Sequence, residues 1–151
     1  MMIIPVASGK GGVGKSLLAA NIGIALGEAG KQVMLVDLDL GASNLHMFLG
    51  LRSMKQGIGT FLNSDHKDFK KIIVKTAYEG VSLIPGDAEI PEISQLKSTQ
   101  KRLLMRRLLA LDVDFLIMDL GPGTHYDVLD FFLISQRGII ITTHALTSIL
   151  N

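Results

Sequence analysis

The chain has 151 residues, the size of one domain, with 48% apolar and 19% charged residues. That composition supports a well-buried core and excludes a disordered chain. A formal charge of +1 gives no overall drive toward nucleic acid or membrane, and the absence of cysteine excludes disulfides, thiolate metal sites and cysteine-held iron–sulfur clusters within these residues.

The elements alternate short apolar runs with amphipathic segments, the pattern of a parallel sheet covered by helices. Ile3–Ala7 predicts a first strand, with Pro5 as an irregularity because it removes a ladder donor. Lys15–Ala29 predicts a helix stopped by Gly30 at its C′ position. Val33–Asp37 is apolar and β-branched enough for a strand buried on both faces, and Phe115–Asp119 and Gly138–Thr143 read the same way. Val81–Ile84 is a weaker strand stopped by Pro85-Gly86. Helices are expected near Ile58–Asn63, Asp65–Thr76, Ile93–Leu111 and Tyr126–Ser135. The fold class is therefore α/β: an open, mainly parallel sheet with helices on both faces, three layers deep, spanning residues 1–151 as one domain. A helix begins at Ser148 just as the chain ends, so the domain reads as cut short at its C-terminus. No apolar stretch approaches the roughly 20 residues needed to cross a bilayer. MMIIPVAS has neither a charged leader nor a cleavage site, so a cytoplasmic location is expected.

Between the first strand and the first helix lies GKGGVGKS, Gly9 to Ser16, a full match to G-x-x-x-x-G-K-[ST]. Gly9, Gly11, Gly12 and Gly14 let successive backbone N–H groups turn inward on phosphate oxygens with no Cβ in the way. Val13 completes the cradle, Lys15 supplies a cation to the β- and γ-phosphates, and Ser16 offers a hydroxyl to Mg²⁺. The helix that follows aims its positive end at the same anion. Downstream, Asp37 and Asp39 end the second strand as VDLDLG, sharing one face if the strand persists that far. Phe115–Asp119 is an apolar run closed by an acid, the form of a Walker B strand, and Asp119 would hold Mg²⁺ through its water shell.

Lys10, directly after the first glycine, is a cation that an ordinary phosphate loop does not need. With it the loop reads K-G-G-x-G-K-S and resembles the deviant Walker A motif of MinD/ParA-type P-loop ATPases. The resemblance extends over nearly the whole chain, through LVDLDLGASNLHMFLGL, GVSLIPGDAEI and ITTHALTSILN, and is most like FlhG-like members of the family. It implies a dimer-forming switch that binds Mg·ATP and hydrolyses it slowly. Lys10 would then reach across the dimer to the partner's nucleotide. Asp37 would lie near Mg²⁺, Asp39 would help position the attacking water, and the backbone of Gly123 in Gly121-Pro122-Gly123 would meet the γ-phosphate. ATP is expected rather than GTP on family grounds, and no N-K-x-D motif is present. A regulatory protein partner is implied, and a nucleoid DNA or membrane surface stays open. Two departures stand out. Leu120 replaces the hydroxyl residue usual beside the Walker B acid, and His144-Ala145 replaces Pro-Glu.

Two rival functions remain open at this level. One is a nucleotide-gated module without turnover, and the other is a partition-type protein that binds DNA non-specifically. Lys97, Lys101, Arg102, Arg106 and Arg107 share a helix with Leu103, Leu104, Leu108 and Leu109, and a solvated face explains them better than a DNA surface does. The four histidines show no metal spacing, and the methionines read as core filler.

Overall fold

The computed structural model describes residues 1–64, 68–86, 96–123 and 126–143. Its sheet has six strands, β1 (Met2–Ser8), β2 (Val33–Leu38), β3 (Val74–Lys75), β4 (Val81–Ile84), β5 (Phe115–Leu120) and β6 (Ile139–Ile141), in the order β3-β4-β2-β5-β1-β6. Every pairing is parallel except β3 with β4. The helices are α1 (Lys15–Glu28), α2 (Leu45–Phe48), α3 (Ile58–Asn63), α4 (Ser98–Leu109) and α5 (Tyr126–Leu133).

Strand alternation sorts the core into two layers. Val33, Leu35, Val6 and Ile117 pack with Ala19, Ala20, Leu45 and Leu49 of α1 and α2. Met34, Val36, Leu116 and Met118 pack on the other side with Ile58, Phe61, Leu104, Leu108 and Phe131 of α3, α4 and α5. This is the expected three-layer α/β/α arrangement. α1 lies close to the sheet because its inward positions are small: a Cβ on Gly27 would stand 2.5 Å from Val81 Cγ2. It ends in a Schellman turn, where Gly30 N donates to Gly27 O and Lys31 N donates to Leu26 O, at 2.8 and 3.0 Å. Gly30 makes the reversal with φ of 76°.

Pro5 sits inside β1 without disrupting it. Ile3 N–H faces Gln136 on the β6 side, so by alternation the missing donor of Pro5 faces that side too, one residue before pairing with β6 begins at Val6. Four expectations need correction. The segment expected as a helix over Asp65–Thr76 holds a 3₁₀ turn, Phe69–Ile72, and then strand β3, because Asp68 caps the turn and Ile73-Val74 are β-branched; residues 65–67 lie outside the described set. β6 is a three-residue edge strand with Ile140 70% exposed, not a strand buried on both faces. Lys101, read as part of a solvated face of α4, has a side chain only 12% exposed and is paired with Asp130 at 2.8 Å. Met34 and Met118 fill the core, whereas Met47 is 67% exposed.

Candidate nucleotide site

The site forms where the C-terminal ends of β1, β2 and β5 meet. β1 lies beside β5 with Val6 level with Asp119, and β2 lies on the other side of β5 with Asp37 level with Asp119. Beyond Ser8 the chain turns through the glycine loop into α1. Gly12 and Gly14 hold φ of 76° and 90°, a left-handed conformation that side chains with a Cβ resist. Ser8 Oγ donates to Lys10 O at 2.9 Å, tying the loop to the strand end. A cavity of about 250 Å³ opens over the loop, lined among others by Gly11, Gly12, Lys15, Ser16, Asp39 and Pro122. Leu17, Phe48 and Asn44, which sequence reasoning did not single out, also line it.

Lys15 and Ser16 begin α1 and are both buried. The Lys15 ammonium forms an ion pair with Asp119 Oδ1, and Asp119 is wholly buried. Asp119 Oδ2 has no hydrogen-bond partner among the described residues. A buried, unpartnered carboxylate oxygen on the acid that pairs with Lys15 fits a role toward a hydrated Mg²⁺, since this ion keeps its waters and needs few protein ligands. Among the described residues no group of three or more His, Cys, Asp or Glu could hold a metal by itself.

Asp37 and Asp39 divide their work differently from simple alternation. β2 ends at Leu38, and Asp39 leads into a 3₁₀ turn, so the shared-face condition does not extend to it. Asp39 is half-buried and lines the cavity. Its carboxyl is raised above the ordinary range by burial, with Lys15 pulling it down and Asp119 pushing it up. Asp37 is 1% exposed and accepts the Ser43 hydroxyl at 2.7 Å, Leu45 N–H at 3.0 Å and Asp39 N–H at 3.1 Å. Burial dominates and lifts its carboxyl to about 6, against the lowering effect of these donors.

Gly123, with φ of 101°, donates its N–H to Ser8 O at 3.0 Å, so this amide is engaged by the strand end. Lys10 is exposed on the loop. Gly9, Gly11, Gly12, Val13 and Gly14 form the loop between β1 and α1, as expected. Leu120 falls on the sheet face opposite Asp119, wholly buried in the layer that holds Leu38 and Met118. His144 and Ala145 lie outside the described residues. Ser43 carries no motif, and no sequence signal pointed to its contact with Asp37.

The model of the ParA family, described as NUBPL iron-transfer P-loop NTPase, matches residues 1–150. The chain is 32% identical over 148 residues to the septum site-determining protein MinD of Synechocystis, covering 97% of this chain and 55% of that protein. It is 27% identical over 151 residues to the antiactivator FleN of Pseudomonas aeruginosa, covering 99% and 53%. Among solved structures, MinD of Pyrococcus horikoshii complexed with Mg-ADP superposes with a TM-score of 0.82 at 28% identity, covering 99% of this chain and 60% of that one. The chain thus spans about half the length of the two relatives.

Proposed function

Because this chain belongs to the ParA family of P-loop NTPases, we propose that it binds Mg·ATP on the Gly9–Ser16 loop and hydrolyses it slowly as a MinD/ParA-type switch. The observation that carries this reading is a cavity over the glycine loop lined by Lys15, Ser16 and Asp39, with the buried Asp119 paired to Lys15. The amides of Gly9, Gly11, Gly12, Val13 and Gly14 cradle the phosphates, and Lys15 leaves Asp119 to neutralise the β/γ bridge. Ser16 and Asp119 would hold hydrated Mg²⁺, which would supply charge neutralisation at the phosphoryl group. Asp37 acts from behind, fixing the Asp39 backbone beside this centre. Asp39 orients the attacking water, so catalysis consists of placement and electrostatics.

Lys10 is assigned to a second copy's nucleotide in an ATP-dependent homodimer, and the switch would signal to a regulatory protein partner. The similarity to FleN, an antiactivator, supports an output of that kind. No helix among the described residues is long and apolar enough to cross a membrane. A second reading, a nucleotide-gated module without turnover, draws on Gly123, whose amide is held by Ser8 and must release it to reach a γ-phosphate.

Phosphate release separates the two. Mg·ATP turnover above background in the wild type, lost in Asp39→Ala while binding persists, supports the ATPase; binding without any release supports the module.

A further inference from the structure

The buried carboxylate of Asp37 ties together the backbone of a loop whose apolar anchors are the buried Leu40 and Leu45. Asp37 Oδ1 accepts Asp39 N–H, and Oδ2 accepts both the Ser43 hydroxyl and Leu45 N–H. Residues 39–43 between these anchors form a single 3₁₀ turn, with Gly41 and Ala42 exposed. Ser43 also reaches the neighbouring loop beyond β4: its Oγ lies 3.2 Å from Gly86 O. One hydroxyl carries one hydrogen, so the 2.7 Å contact to the carboxylate takes it and the carbonyl contact is secondary. Gly86 fits against this corner because it lacks a side chain. A Cβ there would stand 3.1 Å from Asp37 O and 3.2 Å from Ser43 Cβ and Oγ. Ser43 is therefore wedged between the ends of two adjacent parallel strands, β2 and β4.

We propose that Ser43 is a positioning residue for Asp39: its hydroxyl fixes the Asp37 carboxylate and clamps the 39–45 loop against Gly86, which holds the Asp39 side chain at the cavity. This rests on the ATPase reading given above. A buried carboxylate deprived of a donor is costly and shifts toward whatever donors remain. In Ser43→Ala only the Leu45 and Asp39 amides would be left of the three donors described. The segment between the buried Leu40 and Leu45 then loses its side-chain tie, and a displacement of about 1 Å at a catalytic group can cost two orders of magnitude in rate. The phosphate loop shares none of these contacts, and of the 39–45 segment only Asp39 and Asn44 line the cavity, so nucleotide affinity changes far less than turnover.

The test measures Mg·ATP affinity and phosphate release for the wild type, Ser43→Ala, Ser43→Thr, Asp39→Ala and the Ser43→Ala/Asp39→Ala double variant. Turnover of Ser43→Ala should fall roughly 10- to 100-fold, with affinity within about twofold of wild type. Ser43→Thr, which keeps the hydroxyl, should recover most of the rate. In the double variant, loss of Ser43 should add nothing to the loss of Asp39, whereas a purely structural role would add in full. Wild-type turnover in Ser43→Ala, or full additivity with Asp39→Ala, overturns the assignment and leaves the ATPase reading intact. A wild type that binds ATP but releases no phosphate overturns both.

Discussion

The Lys15 ammonium, which lines the cavity over the glycine loop, and Asp119 Oδ1, 104 residues away in the chain, are joined in a buried ion pair. Each is the partner the other would surrender to a nucleotide with its cation. Asp119→Asn should therefore abolish the gain in ATP affinity that Mg²⁺ gives, while Mg-free ATP binds at least as well, since Lys15 is released. Titrations with and without EDTA measure both. Equal loss in the two conditions would make Asp119 purely structural.

Gly27→Ala should destabilise the fold although alanine is the better helix former. Propensity offers about 1 kcal/mol in its favour. The new Cβ, however, would stand 2.5 Å from Val81 Cγ2 and 2.7 Å from the backbone oxygen of Glu79. Overpacking of this kind costs about 1–3 kcal/mol, so a net loss of about 1 kcal/mol is expected in urea denaturation. An unchanged or raised midpoint would mean that α1 shifts freely off β4.

The nucleotide loop and the strand carrying Asp119 were legible because their chemistry lies in residue types at fixed local spacing. Gly12 and Gly14 take left-handed conformations, and Asp119 closes an apolar run. The strand order was not legible, since nothing local places β5 between β1 and β2. Strand β3 was missed because a charged, lysine-rich segment suggested a helix, while its two paired residues depend on the neighbouring β4. Ser43 with Asp37 and Gly86 escaped for the same reason: the contact exists only after two separate strand ends are brought side by side. The concern raised by Leu120 was a matter of side, for the residue faces the apolar layer and not the cavity layer.

Asp37 should impose a pH dependence on stability. Its carboxyl titrates at about 6 in the folded protein against an ordinary 3.8. Between those values the native state keeps a proton that the unfolded chain has lost, so this group's contribution is full below about 3.8 and disappears as pH rises through about 6. The span is worth at most about 3 kcal/mol. Denaturant unfolding at pH 4 and pH 7 should show a decline with pH in the wild type that is smaller in Asp37→Asn. Identical profiles would show that Asp37 is not raised.

Lys10→Ala should bind ATP as a monomer, because Lys15 and the loop amides remain, yet fail to dimerise and fail to hydrolyse. Light scattering of the full native protein with ATP and with ADP reads the dimer. An ATP-driven dimer at full strength in the variant would remove Lys10 from any action across subunits.

The central claim is that the Gly9–Ser16 loop is an Mg·ATP site organised by Lys15. Calorimetric titration of Mg·ATP onto the wild type and Lys15→Ala tests it most directly. The wild type should bind at one site per chain and the variant should show no binding, because the cation facing the β- and γ-phosphates is gone. Unchanged affinity in a folded Lys15→Ala would contradict the account.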